Sequence, residues 1–272
     1  MINRAMTNEQ ILRYAPSVFA TRPSEKTSAK YDFVPTVDVI DFMRGEGWDV
    51  VSAYESRTRD EARQGFQKHA LRLRHQRDIG RTLAVDDLIN EITLSTAHDG
   101  TAAFAFDSSI YRCFCDNQCV TSLENVGRYK VKHKDLEEGE VMDAVYSIVE
   151  DTPKITSNIQ EMRALPLGID AKMALAKGAL ELKWPSENAN GEKLNQPVTA
   201  DQLLQVRRYA DKSPDLWTTY NVIQENIIRG GLRGRTATNR RRRTRGVSSV
   251  NEDLRLNRAL WHMANELKGM VG

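Results

Sequence analysis

The spacing of apolar residues changes once along this chain, near residue 135, and that change constrains the fold more than any other feature. Before it, the pattern alternates. Trp48–Arg57 carries Val50, Ser52 and Tyr54 in loose alternation, and Gln67–His75 repeats the pattern as Lys68-His69-Ala70-Leu71-Arg72-Leu73-Arg74. Glu91–Ala97 and Thr101–Cys115 follow, joined by His98-Asp99-Gly100, where Asp-Gly is a hairpin-turn signal; Gly127–His133 adds a further strand. From Leu136 onward the apolar residues recur at helical spacing: Val141, Val145 and Ile148, then Ile155, Ile159 and Met162 beyond Pro153, as two helices or one kinked helix. Asp170–Lys183 is a further helix. The expectation is an α+β fold: an antiparallel sheet of about four or five strands over residues 48–134, flanked by helices, with a helical C-terminal third packed on it.

Capping signals locate the helix ends. Thr7 with Gln10, and Thr199 with Gln202, have capping-box spacing, and Ser249 with Glu252 repeats it. Thr36 reads as the cap of a helix carrying Val37, Ile40 and Met43 and closed by Gly45 and Gly47. Ser213-Pro214-Asp215 reads as cap, first-turn proline and acidic first turn of a helix with Leu216, Tyr220, Ile223 and Ile227 on one face. Gly230-Gly231 ends that helix, Glu225 and Arg229 form an i,i+4 pair on it, and Gly269 lies near the stop of the last one. The loop Trp184–Val198 separates a core segment (48–183) from a C-terminal segment (199–272), and residues 1–47 form an N-terminal segment of helices and extended chain.

Between Asn226 and Asn251 stand eight arginines (Arg229, Arg233, Arg235, Arg240, Arg241, Arg242, Arg243 and Arg245) without an Asp or Glu. The whole chain carries only +2, so this segment holds +8 and the remainder sums to −6. Such separation points to an anionic partner, and guanidinium forks match phosphate geometry. A solvated basic loop is the plainer alternative. Residues 233–247 are expected to lack fixed structure without a ligand, because like charges repel and little there can be buried. Two rows at period two extend the basic surface onto the strands: Arg72 and Arg74 beside Lys68, and Arg128, Lys130 and Lys132. Asn221, Gln224 and Glu225 either read bases or cap the arginine loop by hydrogen bonds.

The 272 residues suit one large domain or two small ones, and the apolar runs are too short to span a bilayer. The N-terminus lacks a secretory pattern, and three cysteines make no disulfide framework, so a cytoplasmic location is expected. Cys113, Cys115 and Cys119 with His98 or His133 were they to converge would make a zinc set, but their spacing is not that of a zinc knuckle, and the two nearer cysteines fit one strand face as core. His69, His98 and Asp99 offer a hydrolytic reading, against which stands the want of a nucleophile elbow, a P-loop or a paired acidic cluster. No metal, cofactor or catalytic residue is therefore assigned.

Several runs carry a resemblance. Tyr31-Asp-Phe-Val-Pro35, His69 with Leu71–Arg74, Ser95 with His98-Asp99-Gly100 and Arg112-Cys-Phe-Cys115-Asp-Asn117 resemble, in the same order, the phage/plasmid-like family known as domain of unknown function 932. So do Leu216-Trp217-Thr-Thr-Tyr-Asn221-Val-Ile-Gln224-Glu225-Asn226, Arg229-Gly230-Gly231 and Leu256-Asn257-Arg-Ala-Leu-Trp261. Members usually carry Cys-x-Asn-Gly where this chain has Cys115-Asp-Asn117-Gln118, and Gln serves a positive-φ turn poorly. The resemblance implies a mobile-element origin and names no reaction. The strand-then-helix order is similar to phage annealases of the RecT/Red-beta type, a likeness of fold alone. The leading expectation is a protein that binds nucleic acid, single-stranded DNA before duplex, assists strand annealing and forms homo-oligomers. The alternative is an antirestriction protein acting through a host protein, and a lesser one is a metal-dependent enzyme on nucleic acid.

Overall fold

The computed structural model describes residues 4–82, 87–112, 118–120, 128–133 and 139–272 and divides into two compact units, with the division at Thr152/Pro153. The division falls inside the 48–183 segment.

In the N-terminal unit, α1 (Asn8–Tyr14) and α2 (Thr36–Gly45) precede a sheet of β1 (Trp48–Glu55), β2 (His69–His75), β3 (Leu88–Thr96) and β4 (Phe104–Arg112). These four pair in sequence order, all antiparallel, as expected of short strands joined by turns. The far edge of β4 is shared: β5 (Gln118–Val120) pairs with its Ser109–Tyr111 end and β6 (Arg128–Val131) with its Phe104–Asp107 end. At three residues β5 is too short to announce itself by period. Gly100, at φ +77°, turns the chain between β3 and β4, a conformation in which Asp-Gly is favoured.

Alternation decides what each face of the sheet holds. Leu71, Leu94 and Phe106 stand in line across three strands, beside Leu73, Ile92 and Phe104, all buried. They form one core with Ile11, Val39, Ile40 and Met43 of α1 and α2 and with Val145 and Ile148 of α3 (Glu140–Ala164). Burial of each such side chain contributes roughly 1.5–3 kcal/mol. Of the two readings across Pro153, the structure takes the single helix. α1 begins with the expected capping box, Thr7 N–H donating to Gln10 Oε1 at 2.9 Å and Gln10 N–H to Thr7 Oγ1 at 3.3 Å. Thr36 is not a cap. Pro35 holds that position, and the Thr36 side chain is spent elsewhere.

The C-terminal unit contains α4 (Ile169–Lys183), α5 (Ala200–Leu203), α6 (Leu216–Ile228) and α7 (Val250–Val271). Asp215, not Ser213, caps α6: its carboxylate accepts from Thr218 N–H at 2.7 Å and Thr218 Oγ1 at 2.9 Å, so the helix starts later than the proline suggests. α7 runs past Gly269 to Val271. α6 is buried along almost its whole length, and Trp217, Tyr220 and Trp261 pack with ring centroids 5.7–6.3 Å apart. Among the described residues, no helix is long and apolar enough to cross a membrane.

Candidate nucleic-acid interface

The arginine segment is a hairpin. Arg233–Arg235 (β7) pairs antiparallel with Arg241–Arg243 (β8), where the all-polar pattern suggests an unstructured loop. The turn is local chemistry. Asn239 N–H donates to Thr236 O at 2.8 Å, Arg240 N–H donates to Thr236 Oγ1 at 3.1 Å, and Asn239 takes φ 59°, which Asn tolerates better than other side chains. At the base, Gly231 N–H donates to Thr244 O and Val247 N–H to Ile228 O, which ties both strands to the end of α6. Gly230, at φ +64°, is needed because a Cβ would lie 2.6 Å from the Arg245 backbone.

The segment after Trp184 anchors one strand from outside. Arg235 N–H donates to Pro197 O at 2.9 Å, while Gln202 Nε2 donates to Arg233 O at 2.7 Å and Asn195 Nδ2 to Arg235 O at 3.1 Å. Gly234 permits this approach, since a Cβ there would meet Pro197 O at 2.4 Å. Replacing Gly234 with Ala is expected to lift β7 from Pro197. The Arg235 amide should then exchange with solvent about tenfold faster or more, corresponding to a local loss of about 1–3 kcal/mol, while amides of β1–β4 keep their protection. Unchanged exchange at Arg235 would mean that Pro197 does not hold the strand.

The pairing decides where the charges go. Arg233 stands opposite Arg243, and Arg235 opposite Arg241, so four guanidinium groups rise from one face in two directly facing pairs. Like charges in that position destabilise a strand pair. Arg233, Arg235, Arg240, Arg241, Arg242, Arg243 and Arg245 are all exposed, and none pairs with a carboxylate among the described residues. The contacts they do make are neutral: Arg235 Nη1 donates to Asn239 Oδ1 at 2.7 Å and Arg243 Nη1 to Gly231 O at 3.3 Å. A concavity of about 930 Å³ opens beside the hairpin, walled by Arg233, Arg235, Arg241 and Arg243 and by Thr199 and Gln202. Arg229 differs from the rest. Its Nη1 donates to Glu225 Oε1 at 2.9 Å, the i,i+4 pair expected from spacing.

Four other residues read as contacts are already engaged. Arg74 faces Glu91 across the β2–β3 ladder, and Glu91, fully buried, accepts from Arg72 Nε at 2.8 Å and from Arg74 Nε at 3.0 Å. Both guanidinium groups also lie over the Tyr111 ring, at 5.4 and 4.8 Å. The row that looked like an open basic face is thus a buried ion-pair network, because an acid sits in register on the next strand. Asn221 and Gln224 are buried in α6, where Asn221 Nδ2 donates to Trp217 O at 2.7 Å and Gln224 Nε2 to Asn257 Oδ1 of α7 at 2.7 Å. They hold helices, not bases. Lys130 and Lys132 are exposed; the Arg128 side chain lies outside the described residues. Glu225 and Asn226 complete the buried polar set, and spacing missed their partners: Arg208 joins Arg229 on Glu225, and Arg207 Nε donates to Asn226 Oδ1 at 2.8 Å.

Three of the five histidines, His69, His98 and His133, form a buried row in the N-terminal unit. Thr36 Oγ1 lies 2.9 Å from both His69 Nε2 and His98 Nε2. His69 Nδ1 donates to Gln67 O at 3.0 Å, which leaves Nε2 to accept the Thr36 proton; Thr36 then accepts from His98 Nε2–H. That assignment leaves His98 Nδ1 a bare acceptor, buried without a hydrogen-bond partner among the described residues. His133 Nδ1 donates to Asp32 O at 3.1 Å, and its Nε2 accepts from Thr96 Oγ1 at 3.0 Å. Burial therefore lowers all three basicities, His69 to about 4 and His98 to about 3, with charge repulsion among the imidazoles adding to it for His69 and His98. Asp99 turns to Thr101, whose amide donates to Oδ1 at 3.0 Å, so it does not serve either imidazole as a base partner. Cys113 and Cys115 and the Cys115–Asn117 turn lie outside the described residues, as does the side chain of Cys119.

UPF0380 protein YafZ of Escherichia coli (strain K12) is 37% identical over 265 residues, which cover 97% of this chain and 92% of that protein. UPF0380 protein YfjQ of the same organism is 36% identical over the same shares. No solved structure matches the chain with significance. A family model described as Domain of unknown function (DUF932) matches residues 24–261, a span that takes in the histidine row, the sheet, the hairpin and α7 as far as Trp261, and the chain belongs to that family.

Proposed function

We propose that this chain binds nucleic acid through the arginine hairpin, holds single-stranded DNA there and assists the pairing of complementary strands on a phage or plasmid. The observation that carries the reading is the pairing of Arg233 with Arg243 and of Arg235 with Arg241, with no carboxylate paired to them among the described residues. An arrangement that repels itself is relieved by a polyanion, and the contacts of Pro197, Gln202 and Asn195 with the β7 backbone hold the strand that carries Arg233 and Arg235 in place before it arrives. Guanidinium planes also stack on unpaired bases, which favours a single strand over a duplex.

A salt titration tests the reading. If about four arginines contact single-strand phosphates, the slope of log affinity against log salt is roughly −0.7 per contact, or about −3 in all. Affinity for an oligonucleotide should then fall about 60-fold between about 50 and 200 mM salt, a little over 2 kcal/mol. Replacing Arg240, Arg241, Arg242 and Arg243 together with Ala removes two of the four facing guanidinium groups and should flatten the slope by about 1.5 to 3 units, weaken all sequences alike and abolish faster strand pairing. Binding and annealing undiminished in that variant would set the reading aside in favour of antirestriction through a host protein.

A further inference from the structure

A second concavity, of about 500 Å³, adjoins the hairpin and differs from the first in having an aromatic wall. Trp184, Pro197 and Ala237 are among its apolar lining, and Arg235, Arg242, Arg243 and Arg245 line it as well. The volume lies in the range of small-molecule sites, and the combination is that of a planar aromatic ligand next to an anionic group. We infer that this concavity receives one unpaired nucleobase of a bound strand, stacked on Trp184, while the arginines that line it take the flanking phosphates. The inference rests on the nucleic-acid reading and adds to it a residue that makes the interface prefer single strands.

Trp184 is fixed for such a role. It ends α4, its amide donating to Leu180 O at 2.7 Å, and its carbonyl accepts from Gln196 Nε2 at 2.8 Å. Its indole is half-buried, whereas Trp48, Trp217 and Trp261 are 5%, 1% and 0% exposed. A base inside a duplex cannot reach a side wall of this kind, but an unstacked base can, and stacking on an aromatic side chain is tolerant of sequence. Lys183, on the same wall, is already paired with Glu252 at 3.2 Å, so the phosphate contacts fall to the arginines.

The test uses the whole chain and three probes: oligo-dT, a sugar-phosphate oligomer of equal length without bases, and free dTMP. Oligo-dT is expected to quench tryptophan fluorescence in the wild type and not in Trp184→Ala, because the other indoles are buried. Trp184→Ala should raise the Kd for oligo-dT roughly tenfold, Trp184→Phe should recover most of that, and the baseless oligomer should bind both proteins alike. An unchanged Kd for oligo-dT in Trp184→Ala, with the four-arginine variant still impaired, would overturn the stacking site and leave the nucleic-acid reading standing. If the wild type bound no oligomer at all, both would fall. Binding of dTMP as tight as that of oligo-dT would overturn the strand as the occupant in favour of a free nucleotide.

Discussion

Acidification from pH 7 to pH 5 should remove on the order of 4 kcal/mol of folding stability from the N-terminal unit, chiefly through His69 and His98. Both are buried as neutral rings, with basicities lowered to about 4 and about 3. In the unfolded chain an imidazole takes up its proton near pH 6.5. As pH falls below that value the unfolded state binds protons that the folded state refuses, so stability is full above about 6.5 and declines until the folded values are reached. Each ring contributes about 2 kcal/mol of this loss at pH 5, and His133, also lowered, adds in the same direction. Between pH 7 and pH 5 the ordinary carboxylates stay mostly ionised, so the loss over that interval belongs to the histidines. Urea unfolding followed by circular dichroism at pH 7.5, 6 and 5 measures the effect. His98→Gln, whose amide can still donate to Thr36, should roughly halve the pH dependence; a midpoint that did not move with pH would show that the rings are not held neutral.

Removing the Glu91 charge is the other large expected effect. Glu91→Gln leaves Arg72 and Arg74 inside the sheet without their carboxylate, and breaking a buried pair in this way costs about 3–5 kcal/mol. The Tyr111 ring under both guanidinium groups offsets only part of that. Denaturant titration of the variant at neutral pH reads the loss directly, and a change below about 1 kcal/mol would mean that water already reaches the network. A companion result concerns binding. At pH 7, in any Glu91 variant that still folds, the salt slope for oligonucleotides should match the wild type, because these arginines do not meet phosphate.

The exposed arginines and the buried ones looked alike by composition, and only the strand register separates them. Arg72 and Arg74 sit at period two, as Lys130 and Lys132 do, and nothing local tells the two rows apart. Glu91 lies seventeen residues beyond Arg74 and becomes its neighbour through the β2–β3 ladder. The hairpin was hidden for a related reason: strand recognition relies on apolar alternation, and Arg-Gly-Arg against Arg-Arg-Arg has none. The one local hint, Thr236 to Asn239, is a turn whose strands are held by Pro197 and Gln202, some thirty to forty residues earlier in the chain.

Residue spacing by itself determined the α+β class, the antiparallel order of the first four strands, the capping of α1, the Asp-Gly turn and the helices on either side of the arginines. All of these depend on interactions within a few residues, where period and cap chemistry act directly. Tertiary structure decided the rest: which arginines face solvent, that Asn221 and Gln224 are consumed between helices, that Thr36 joins two histidines instead of capping α2, and that Trp184 stands beside the hairpin. Those outcomes follow from pairings between distant segments, and a polar side chain takes whichever partner the packing brings within hydrogen-bond reach.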